Sequence, residues 1–67
     1  MLVILSYSKI KGYDLLDLNK LASFLEGELV CDKIDYRILA YRFTEEEAFN
    51  IFKEALEERG IKYKSYA

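Results

Sequence analysis

The sequence predicts a small α+β domain of the ferredoxin-like, split βαβ kind: order β-α-β-β-α-β, an antiparallel sheet, and two helices on one sheet face. Three features lead there. Segments 2–7 and 36–43 are apolar on both alternating sides, as inner strands require. Segments 14–25 and 45–59 carry apolar residues at helical spacing, and Gly27 and Gly60 follow them. Charge divides the same way. The strand-forming pieces 1–11, 33–43 and 61–67 each carry +2, the helix-forming pieces 12–32 and 44–60 each carry −4, and the chain nets −2.

Leu2 to Tyr7 opens the chain as a central strand, and Lys9 to Tyr13 makes a polar connection through Gly12. The first helix is expected to be capped by Asp14 or Asp17. Its inner side is Leu15, Leu18, Leu21, Ala22 and Leu25, while Leu16 and Phe24 fall off that stripe and point outward. Gly27 suits a left-handed helix end. Glu28 to Cys31 is a short, weak strand candidate, and 32–35 would turn the chain. Were Leu29 to Cys31 not to pair, the alternative is a three-stranded parallel β-α-β-α-β layer. Tyr36 to Phe43 forms the second strong strand. Thr44-Glu45-Glu46-Glu47 matches a capping box. The second helix then carries Ala48, Ile51, Phe52, Ala55 and Leu56 on its apolar side with Phe49 beside them, and Lys53 and Glu57 are spaced to pair. Ile61 to Tyr66 alternates like an edge strand with one wet side.

Sixty-seven residues make one domain. A chain this short buries only about 60% of its unfolded surface, and its core supplies roughly 3–5 kcal/mol. Cys31 is the only cysteine, so no intrachain disulfide adds to that, and the expected role of Cys31 is that of a small buried hydrophobe. With no histidine, the usual ligand set of a structural zinc is missing. No metal and no cofactor are expected. Self-association is the remaining source of buried area. A single thiol and no secretory pattern suit a cytoplasmic setting. The apolar run Met1 to Leu5 is too short to cross a bilayer, so no membrane partner is expected. Absent glutamine beside many Glu and Lys is a composition also met in thermophile proteins.

Function is expected on the sheet face that the helices leave open. The first strand sends either Leu2, Ile4 and Ser6 or Val3, Leu5 and Tyr7 to that side, and the other inner strand sends Ile38 and Ala40 or Leu39 and Tyr41. The face assigned is Val3, Leu5, Tyr7, Arg37, Leu39, Tyr41, Lys62, Lys64 and Tyr66. Either register leaves an apolar patch, and each buried Leu or Ile contributes about 1.5–3 kcal/mol. The leading expectation is a non-enzymatic interaction module that forms a homodimer through this face, as a subunit or accessory regulator of a larger assembly. The alternative is a platform for single-stranded nucleic acid, with tyrosines stacking bases and Lys and Arg holding phosphates. Segment 36–43 does not reproduce the RNA-recognition-motif signature. In direct register only Phe43 fits; one residue along, Arg37, Ala40 and Tyr41 fit, but Ile38 and Leu39 stand where glycine and an aromatic belong. A pI near 5.0 also weakens long-range attraction to a polyanion. No phosphate loop, nucleophile elbow or histidine base is present, so catalysis is not expected. The remote alternative is a small anion or other ligand at the loop 8–14 after the first strand, where Lys9 and Lys11 meet Asp14 and Asp17.

Overall fold

A computed structural model describes all residues except Tyr7, Lys9 and 34–36. The elements run β1 (Leu2–Ser6), α1 (Gly12–Phe24), β2 (Glu28–Lys33), β3 (Ile38–Arg42), α2 (Glu46–Glu58) and β4 (Tyr63–Tyr66). All strand pairs are antiparallel, in the order β2-β3-β1-β4. This is the ferredoxin-like arrangement, and the pairing of β2 with β3 excludes the three-stranded parallel layer. The apolar segments β1 and β3 hold the two inner positions, as their sequences require.

Both helices lie on one sheet face. Leu18 and Ala22 of α1 and Phe49, Phe52 and Leu56 of α2 share one core with Val3, Leu5, Leu39 and Tyr41 of the inner strands. Phe52 sits at its centre, with ring centroids 5.1 Å from both Tyr41 and Phe43. Such tilted aromatic pairs add about 0.5–1.5 kcal/mol each beyond their area. The Tyr41 hydroxyl donates to Asn19 Oδ1 on α1, which gives this buried ring a polar outlet. Burial is the main cause that raises the Tyr41 pKa above the usual phenol value, with the negative charge of Asp32 second.

Several local expectations require correction. α1 starts at Gly12 with Lys11 at its N-cap and no side-chain cap, so Asp14 lies in the first turn and neither Asp14 nor Asp17 caps it. The left-handed residue after α1 is Glu26, φ 60°, not Gly27. Its N–H donates to Ser23 O at 3.1 Å and the Gly27 N–H donates to Ala22 O at 2.7 Å, which together close a Schellman motif. Gly27 is needed for space instead: a Cβ there would stand 2.5 Å from the Phe43 ring. Gly60 follows the end of α2 as expected, and it is the glycine that takes the left-handed conformation, φ 67°. The Thr44 capping box does not form. Glu45 remains extended at the N-cap with no side-chain bond, leaving Glu46 and Glu47 to face the positive helix end. Ile51 is 41% exposed rather than buried. Lys53 does not bridge to Glu57; its Nζ lies 4.2 Å from the Phe49 ring centroid, while Glu57 accepts from the Tyr63 hydroxyl at 2.9 Å. That bond ties β4 to α2 and is the main cause that raises the Tyr63 pKa. β2 extends to Lys33, two residues beyond the expected strand.

Candidate interaction face

Registers decide which side chains the open face carries. Val3 pairs with Tyr41, and Leu5 with Leu39. Directly opposed residues of an antiparallel pair share a face. Since Tyr41 touches both Asn19 and Phe52, this set lies under the helices. Val3, Leu5, Leu39 and Tyr41 are all buried there, so their assignment to the open face is corrected. The physical reason is the pleat: a one-residue shift of register exchanges the two faces completely.

The open face is the other parity. Three tiers cross it from β2 to β4: Glu28, Arg42, Leu2, Tyr66; then Cys31, Ala40, Ile4, Lys64; then, on the inner strands, Ile38 and Ser6. Val30 stands out of register at a bulge between Leu29 and Cys31, which is how β2 keeps Glu28 and Cys31 on the same side. Ile4 and Ala40 face each other at the centre, with Leu2 and Ile38 beside them on the neighbouring tiers. Ala40 is buried although no helix covers it, and Leu2, Ile4, Ile38 and Cys31 are half-buried. Cys31 is thus a partly covered member of this face rather than a core residue. An aliphatic strip crosses the inner strands, and charge and aromatic character are left to the margins. At one margin Arg42 donates to Glu28 directly across the strand pair. Both side chains are more than half exposed, and such a surface pair contributes about 0–1 kcal/mol.

The remaining assigned residues divide. Lys64 and Tyr66 do lie on the open face, opposite Ile4 and Leu2. Arg37 sits in the turn before β3 with φ 53°, exposed and outside the tiers. Lys62 precedes β4 and is exposed at a cavity near the end of β1. Tyr7 lies outside the described residues, as does Tyr36. Tyr63 and Tyr41 belong to the helix side. Among the described residues, Tyr66 is therefore the one aromatic on the open face.

A signal for the correct parity was present in the chain. Arg42 alternates with Ala40 and Ile38, and a guanidinium cannot be placed under two helices without a partner. Leu2, Ile4 and Ile38 gave no such signal by themselves, since Val3, Leu5 and Leu39 are equally apolar. A second exposed set lies elsewhere. Leu16 and Phe24 of α1 are 63% and 83% exposed, as their spacing predicted. Comparison with protein-family models, with curated proteins and with solved structures yields no match. No helix among the described residues is long and apolar enough to cross a membrane.

Proposed function

We propose that this chain is a non-enzymatic interaction module that self-associates by stacking its open sheet face on that of a second copy. The observation that carries the reading is the aliphatic strip Leu2, Ile4, Ala40 and Ile38 across the two inner strands. Sheets stack about 10 Å apart when such side chains interdigitate, and a two-fold pair closes without leaving a copy of the strip exposed. Size sets the strength. The two longest extents of the molecule, 28 and 21 Å, limit the footprint to about 600 Å² per copy. That is the low end for specific interfaces, where association is weak and reversible. The same strip weakens the nucleic-acid reading. Base stacking needs aromatic platforms on the inner strands, and there this face offers Ile4, Leu2, Ile38 and Ala40.

Sedimentation velocity across the micromolar range tests the proposal. The expected result is a concentration-dependent rise from the 7.9-kDa monomer toward twice that mass. A constant monomer mass at every concentration contradicts it. A salt-sensitive rise in the anisotropy of a labelled single strand would favour the nucleic-acid reading instead.

A further inference from the structure

We propose that the cavity at the carboxyl end of β1, lined by Lys11 at the start of α1 and by Arg59 and Lys62 on the connection from α2 to β4, binds a small phosphorylated molecule. The cavity measures about 530 Å³, within the roughly 300–1,000 Å³ range of small-ligand sites. Its wall is built by the start of α1, the end of α2 and the approach to β4. The sequence carries a net charge of −2, yet among the described lining residues there are three cations and one carboxylate, Asp14, a local balance of +2. Among the described residues none of these four groups makes a salt bridge. Lys11 and Lys62 are exposed and able to reorient, and Arg59 already spends one N–H on the Ala55 carbonyl at 3.1 Å, which steadies its guanidinium.

The charge balance fits a dianion, and a phosphate monoester is the small group that matches it with hydrogen-bond acceptors on every side. The rest of the wall selects an organic portion. Ile10 and Ile61 are half-buried and supply apolar surface. Tyr13 is 60% exposed and offers a ring face for a planar group, with Lys11 Nζ 5.8 Å from its centroid. The Ser6 and Ser8 hydroxyls, 3.4 Å apart, add neutral donors and acceptors. A mononucleotide combines all of these features. Dimerisation through the open face does not require this site, and the site does not require dimerisation.

The test is an amide-resolved NMR titration of the whole chain at low ionic strength with AMP, inorganic phosphate and adenosine as separate probes. AMP is expected to shift resonances at 10–14 and 59–62 and to saturate, with phosphate acting more weakly at the same residues and adenosine weakest. Lys11→Gln and Lys62→Gln, both at exposed positions, are each expected to weaken AMP binding roughly five- to tenfold with the fold intact. Equal binding of adenosine and AMP overturns the proposal, because the cations would then be irrelevant. Shifts spread evenly over Arg42 and Lys64 as well overturn it as diffuse attraction, and so does the absence of shifts at millimolar AMP.

Discussion

Glu26 and Gly27 exchange the roles that their residue types suggest. Glu26 holds the left-handed conformation that glycine adopts without cost, and Gly27 holds a position where any Cβ would strike the Phe43 ring. Opposite outcomes follow from neighbouring substitutions. Glu26→Gly is expected to stabilise the domain, or leave it neutral, by up to about 1 kcal/mol, because strain relief offsets the entropy of the added glycine. Gly27→Ala should destabilise it by roughly 1–3 kcal/mol, as overpacking does. Urea titrations of both variants check the pair. The sequence marked Gly27 as special but not why, since the approach of Phe43 is a tertiary contact. Tyr41 makes the stability of the domain sensitive to alkali. Its pKa is raised in the folded state by burial, with Asp32 adding to the rise. The native protein therefore keeps the phenol proton after the unfolded chain has lost it. The stabilising contribution is complete below the unfolded value near 10 and is lost as pH rises through the higher folded value. Tyr41→Phe should be less sensitive to alkali than the parent, measured as the difference in urea midpoint between pH 8 and pH 11.

At the scale of elements, the two helices differ in how well their sequences specified them. α2 was legible because Ala48, Phe49, Phe52, Ala55 and Leu56 are buried on one side while the acids lie on the other. α1 was less so, because apolar residues occur on both of its sides: Leu18 and Ala22 are buried, and Leu16 and Phe24 are exposed. Its start was misplaced since Asp14 and Asp17 are cap residues by type, yet they lie inside the helix, where Asp14 still favours the positive end. Strand order was legible from the doubly apolar segments. Parity was not, because Val3 and Leu5 compete on equal terms with Leu2 and Ile4. Two substitutions separate inner from outer surface. Phe52→Ala removes the ring that joins Tyr41 and Phe43 and should cost about 3–5 kcal/mol. That equals the whole margin of so small a core, so circular dichroism should report an unfolded chain. Phe24→Ser, at an 83% exposed position, should change stability by less than about 0.5 kcal/mol in the same measurement.

Taken whole, the molecule has an acidic helix layer, an aliphatic strip on the back of its sheet and a basic cavity at one end. Self-association depends on the pattern over the two inner strands and not on any one side chain. Ile4→Lys puts a cation at the centre of the strip beside Ala40, at a position no helix covers. The fold should survive, with dimerisation reduced at least tenfold in sedimentation equilibrium, since a buried unpaired charge opposes stacking. The most direct measurement is an isotope-filtered NOE experiment on a mixture of labelled and unlabelled protein, which records only contacts between copies. Cross-peaks are expected from the methyl groups of Leu2, Ile4 and Ile38. Cross-peaks confined to Leu16, Phe24 and Ile51, or none at a concentration where the mass has doubled, would contradict stacking through the open face.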